Sequence, residues 1–146
     1  MIVSYQAPPE LVALITKHEG RRLLPYTDSV GKLTIGVGRN LTDTGISMAE
    51  CDLMLANDLE IAAHQAAGVV GDLVFSALSA PRQAALIDMA FNIGAQRLSL
   101  FTKLLAAIHL GNWQAAHDEA LNSKWASEVG SRAQDVASML LTGQWP

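Results

Sequence analysis

A chain of 146 residues, 50% hydrophobic and 16% charged, is long enough to bury a sizeable core in one domain and too apolar to stay disordered. Its formal charge of −4 argues against a nucleic-acid partner, which leaves a basic footprint, and no apolar run approaches the roughly 18 residues that cross a bilayer. Cys51 is the single cysteine, so no intramolecular disulfide can form; it is expected as a small buried apolar residue in a protein of a reducing compartment.

The N-terminal stretch "PPELVALITKHEG" lacks a basic start and holds Glu10 and Lys17 among few apolar residues, so it is no export signal and folding in a cytoplasm is expected. Pro8-Pro9 opens a helix, Leu11, Leu14 and Ile15 recur at i, i+3, i+4 spacing, and Gly20 stops it. Glu19 then sits at the negative pole of that helix. An anion is disfavoured there and the protonated acid favoured, and burial against Leu23 or Tyr26 would act in the same direction. A carboxylic acid that keeps its proton is what general acid catalysis requires.

Residues 24–41 change character. Asp28, Ser29 and Gly31 are turn residues, and "KLTIGVG" alternates strictly, which predicts a hairpin. In the polar turn, local amides and water favour the ionised form of Asp28. By period-2 alternation Lys32, Thr34, Gly36 and Gly38 share one face, with Leu33, Ile35 and Val37 packed inward on the other. Thr34 would then look out over a face cleared by glycines, where a ligand can approach the backbone. An acid, a base and a hydroxyl able to hold a water suit hydrolysis of a glycosidic bond. Each is equally an ordinary residue in its place: a helix-end Glu, a turn Asp, a strand Thr.

Charge is unevenly spread. Residues 1–42 hold five bases (Lys17, Arg21, Arg22, Lys32, Arg39) against three acids, whereas residues 43–60 hold five acids and no base. The hairpin segment is therefore best placed to meet an anionic ligand. Ser47 to Glu50, "SMAE", has the form of a capping box and opens a helix to about residue 67, before Gly68. Further helices are predicted at 80–93, 99–110, 113–124 and 131–141, with Leu86, Met89, Ala90 and Ile93 marking an apolar face on the first. His18, His64, His109 and His117 show no metal-ligand spacing, so neither metal nor cofactor is expected.

The hairpin segment resembles the phage-type lysozymes, the endolysins of glycoside hydrolase family 24. Their signature places a Glu, eight residues, an Asp or Cys, five residues and a Thr within a frame that Gly20, Leu23, Tyr26, Gly31 and "TIGVG" at 34–38 fill here. "DMAFNIG", "LFTKLL", "GNWQAA", "KWASEVGSRA" and "LLTGQW" resemble landmarks of the same family's helical part, so the likeness covers nearly the whole chain. The resemblance implies an α+β, mainly α, lysozyme-like fold. It would be one domain over 1–146: an N-terminal lobe (1–46) with the catalytic hairpin, a connecting helix (47–67) and a helical lobe (68–146), with a cleft between the lobes. It implies a muramidase that cuts the β-1,4 bond between N-acetylmuramic acid and N-acetylglucosamine in peptidoglycan. Glu19 would be the general acid, Asp28 would activate or stabilise, and Thr34 would position water, with inversion at the anomeric carbon if Asp28 and Thr34 hold that water. A monomer is expected, made in the host bacterial cytoplasm and acting in the periplasm once a holin opens the way. The lack of an added wall-binding domain fits a thin wall.

The resemblance also implies substrate-side roles for Phe91, in the cleft's helical wall or else in the core, and for Arg132, near the catalytic Glu or else solvated. Trp125 is expected in the core near Arg132, its indole N–H needing a partner. Arg39 stands where the family commonly has His, and a bidentate grip on a carboxylate is its expected structural role. Three rivals remain. "SAPRQAALIDMAFNIGAQRL" outlines a helix-turn-helix but carries too few bases for DNA. A non-catalytic peptidoglycan-binding relative of the same fold would not need all three residues. A glycosidase acting on chitin-type sugars would release a different product.

Overall fold

The computed structural model describes residues 4–146. The class is α+β and mainly α, as expected: among the described residues there are eight helices and one three-stranded antiparallel sheet of order β1-β2-β3. The chain forms two compact units that divide after Asp52, inside the long helix α2.

The first unit holds α1 (Pro9–Glu19), β1 (Arg22–Thr27), β2 (Leu33–Gly36) and β3 (Arg39–Asn40), followed by the first turn of α2 (Met48–Val70). Pro9 begins α1, where a missing N–H costs nothing, and Gly20 ends it at φ 75°. Pro25 is tolerated within β1 because β1 is an edge of the sheet. The capping box at the start of α2 is reciprocal. Glu50 N–H donates to Ser47 Oγ at 3.2 Å, and Ser47 N–H to Glu50 Oε2 at 2.7 Å. The expected bidentate partner of Arg39 is this same Glu50, gripped at 2.8 and 2.7 Å. Arg39 thus ties the end of the sheet to the start of α2.

α2 runs to Val70, past Gly68, because Ala62, Ala66 and Val70 carry a buried stripe at four-residue spacing through it. A mid-helix glycine costs about 1 kcal/mol, less than burial of that stripe contributes. Cys51 corrects an expectation: it is exposed. The buried stripe of α2 begins only at Ala62, and residues 51–61 are all exposed.

The second unit contains α3 (Asp72–Ala77), α4 (Ala80–Ser99), α5 (Thr102–His109), α6 (Trp113–Leu121), α7 (Lys124–Val129) and α8 (Ser131–Thr142). α8 packs on α4, α6 and α7, and α5 on α6. Leu86, Met89 and Ala90 are buried as the apolar face of α4 predicts, with Leu98, Leu104, Val136 and Leu140 in the same core. Gly94 breaks the helical path at φ 77°, ψ 166°, where a stop is expected, but one more turn follows before Ser99. The short helices α3 and α7 fall outside the predicted spans. α6 ends at Leu121, short of the span 113–124, and α7 starts anew because Ser123 Oγ accepts Ala126 N–H at 3.1 Å. Trp125 is 2% exposed, meets Phe101 edge-to-face at 6.4 Å, and donates its indole N–H to Asn92 Oδ1 at 2.8 Å, the partner its burial demands.

Candidate active site

Glu19, Asp28 and Thr34 all lie in the first unit, at the end of α1, in the β1–β2 turn and on β2. The turn closes on itself. Asp28 N–H donates to Lys32 O at 2.9 Å, and Gly31 N–H to Asp28 O at 3.0 Å. Asp28 Oδ1 accepts two backbone N–H groups, from Val30 at 3.0 Å and Lys32 at 2.8 Å. A carboxylate that accepts amides is oriented by them, and the turn thereby fixes the direction of the second oxygen, Oδ2. Oδ2 has Thr34 Oγ1 at 3.5 Å, a long contact. The Thr34 hydroxyl has a nearer acceptor in Lys32 O, at 3.1 Å. A hydroxyl has one proton, so Thr34 bonds to Lys32 O and leaves Oδ2 capacity for a further donor.

Thr34 does not face outward as strict alternation predicts. It is 3% exposed, while Leu33 beside it is 45% exposed. The sheet is too short and irregular for alternation alone to decide the buried face, and the hydroxyl turns to the Asp28–Lys32 loop, where it has partners. The glycine-cleared face is real at Gly38 but has a different occupant. A Cβ built on Gly38 would lie 2.8 Å from Glu19 Oε2, so the absent side chain makes room for the Glu19 carboxylate itself. Glu19 is exposed, and Leu23, one of its expected covers, is 84% exposed. Tyr26 instead carries the Arg22 guanidinium over its ring at 4.4 Å. The Glu50 carboxyl is pushed down to about 2, first by the hydrogen bond from Arg39 and then by those from Ser47. That charge belongs to the frame of the unit, where Glu50 grips Arg39 and caps α2.

The two remaining residues belong to the second unit. Phe91 is 43% exposed and so is not a core residue. Arg132 donates from Nε to Asp88 Oδ1 at 2.7 Å. Both line a hollow of about 580 Å³ together with Asp88, Asp135 and Trp145. Nothing in the sequence marks Asp88 by itself, but its i, i+3 spacing from Phe91 places both on one face of α4.

A family model described as phage lysozyme matches residues 16–139. The chain is similar to the pre-baseplate central spike protein Gp5 of Enterobacteria phage T4, 28% identical over 91% of this chain and 28% of that protein. It is also similar to probable T4-type lysozymes 2 and 1 of Dictyostelium discoideum, 26% and 24% identical, each over 86% of this chain and 89% of that protein. The chain thus spans little more than a quarter of the spike protein but most of the two lysozymes.

Proposed function

The chain belongs to the phage lysozyme family, and from that membership and the arrangement around Asp28 we propose that it is an endolysin-type muramidase. It cuts the β-1,4 bond between N-acetylmuramic acid and N-acetylglucosamine in peptidoglycan. Glu19 delivers its proton to the glycosidic oxygen as that bond breaks. Asp28 Oδ2 accepts a hydrogen bond from a water that also donates to Thr34 Oγ1, and the water attacks the anomeric carbon from the opposite side as its proton passes to Asp28. The product has an inverted configuration.

The observation that carries this reading is the division of labour within one carboxylate. Oδ1 of Asp28 is taken up by two backbone amides, and Oδ2 is left beside the Thr34 hydroxyl with capacity to accept. Phe91 and Arg132 contact the glycan, and the whole chain works as one lysozyme-like domain and as a monomer. In a phage-infected cell the enzyme accumulates in the cytoplasm, reaches the periplasmic wall once a holin has opened the membrane, and lyses the host.

Turbidity loss of purified sacculi, with released fragments identified by mass spectrometry, tests the proposal. Rapid clearing with reducing-end muramic acid, abolished in a folded Glu19→Gln variant, is expected. Nuclear magnetic resonance of the first product anomer should show inversion. Equal activity of Glu19→Gln and the parent would remove Glu19 from the mechanism. Folded parent that binds sacculi without clearing them would be a non-catalytic wall-binding relative.

A further inference from the structure

The end of the Asp28 turn is gripped from the other side of the sheet. β2 and β3 pair as Thr34 with Asn40 and Ile35 with Arg39, so the next step of the ladder would join Leu33 to Leu41. Only half of that step is main chain. Leu41 N–H donates to Leu33 O at 2.8 Å, but Leu33 N–H donates to the side chain of Thr42, to Oγ1 at 2.9 Å. In a regular antiparallel ladder the two residues would exchange both bonds, so the Thr42 hydroxyl stands in for a main-chain carbonyl. The loop that carries it is closed on itself. Asn40 Nδ2 donates to Asp43 Oδ2 at 3.0 Å, Asp43 N–H to Asn40 Oδ1 at 2.9 Å, and Lys32 Nζ to Asp43 Oδ1 at 3.1 Å.

Leu33 N–H and Lys32 C=O are the two ends of one planar peptide unit, so a grip on the N–H fixes the direction of the carbonyl. The turn converges on that carbonyl. Lys32 O accepts Asp28 N–H at 2.9 Å and the Thr34 hydroxyl at 3.1 Å. Thr34 is buried, and a hydroxyl whose proton is committed points its lone pairs away from its acceptor. Where Lys32 O lies therefore decides from which direction Thr34 Oγ1 can accept from a water. Lys32 also supplies one of the two amides on Asp28 Oδ1, at 2.8 Å. Linked hydrogen bonds polarise one another, so the bond to Thr42 strengthens Lys32 O as an acceptor. The ion pair of Lys32 with Asp43 is open to water and contributes little energy by itself. What it and the Thr42 hydroxyl supply is direction.

On the muramidase reading above, we propose that Thr42 is a positioning residue of the reaction. It acts at one remove, through the Lys32–Leu33 peptide, to aim the Thr34 hydroxyl and the free oxygen of Asp28 at the attacking water. Its loss slows the chemical step and spares substrate binding.

Clearing rates of the full chain over a range of sacculus concentrations test it, with amide exchange of Leu33 followed by nuclear magnetic resonance. Thr42→Val keeps the shape of the side chain and removes the acceptor. Its kcat should fall about tenfold, part of the 10²-fold that a misplacement of about 1 Å can cost, with KM within about twofold of the parent. Leu33 N–H should exchange faster. Thr42→Ser returns the hydroxyl, and should restore slow exchange and bring kcat to within about threefold of the parent. A role in stability alone would lower the melting temperature and leave kcat unchanged well below it, and that result overturns the proposal. Unaltered Leu33 exchange in Thr42→Val, or a serine variant as slow as the valine, also overturns it. Should Thr42→Val not fold, Thr42→Ala removes the same oxygen without a branched chain. The same loss of kcat is expected there, and a parental kcat overturns the proposal. Glu19→Gln is measured alongside. No clearing by Glu19→Gln, with parental kcat in Thr42→Val, sinks the positioning role alone. A folded parent that leaves sacculi intact sinks the muramidase reading and the role of Thr42 with it.

Discussion

Two glycines on one hairpin separate the placement of Glu19 from backbone strain. Gly38 has φ +72°, and a Cβ there would meet Glu19 Oε2 at 2.8 Å, Cδ at 3.1 Å and Cγ at 3.3 Å. Gly36 has φ +68° and nothing within 4 Å of the same built atom. Alanine at either position carries the left-handed penalty, about 1–2 kcal/mol, which lowers the melting temperature by about 2–8 °C for a chain of this size. Only Gly38→Ala also displaces the carboxylate. Restoring ordinary contact at 3.4 Å from 2.8 Å moves Oε2 by about 0.6 Å. Because Glu19 is exposed and can swing, that shift adds little to the stability loss. Its effect should fall on catalysis, where a misplacement of about 1 Å can cost 10²-fold.

Initial rates of sacculus clearing should therefore fall about 10- to 100-fold in Gly38→Ala, in kcat rather than KM. Gly36→Ala should stay within about threefold of the parent. The two variants should melt alike. Equal activity in both, with both folded, would refute the idea that Gly38 exists to seat Glu19.

Acid should unfasten the first unit through Glu50. A carboxyl lowered from 4.5 to about 2 by its partners contributes stability that is fully present above 4.5 and is lost as pH falls through about 2. The melting temperature of Glu50→Gln should be flatter than the parent's over that window. In the second unit, Arg82 Nε and Nη2 donate to the Leu140 and Leu141 carbonyls at 2.9 and 3.1 Å, and its guanidinium lies 3.8 Å over Trp113. Arg82→Ala should cost about 2–4 kcal/mol in chemical denaturation, and Arg82→Lys should recover only part, since it lacks the planar fork. Asn92→Ala leaves the buried Trp125 indole N–H unpaired and should cost about 1–3 kcal/mol, with Asn92→Ala/Trp125→Phe costing less than the sum of the single changes.

Local chemistry was legible in the residues themselves. The capping box of Ser47 and Glu50, the proline start and glycine stop of α1, and the buried face of Leu86, Met89 and Ala90 follow from interactions within a few residues of chain. The spacing of Glu19, Asp28 and Thr34 pointed to one family before any fold was known, because their order along a helix end, a turn and a strand is itself local. The Asp28 turn belongs with them, since its amide bonds span at most four residues.

The rest was decided by contacts that spacing cannot carry. Alternation placed Thr34 outward, yet partners in the Asp28–Lys32 loop and a bulge at Leu23–Pro25 set which face is covered. Cys51 is exposed because the buried stripe of α2 starts eleven residues later, at Ala62. Glu19 meets Gly38, Arg39 finds Glu50, Arg132 finds Asp88 and Trp125 finds Asn92 across separations of 11 to 44 residues. Periodicity says which side of an element is apolar; only packing says which distant group completes a charge, a donor or an empty position beside a glycine.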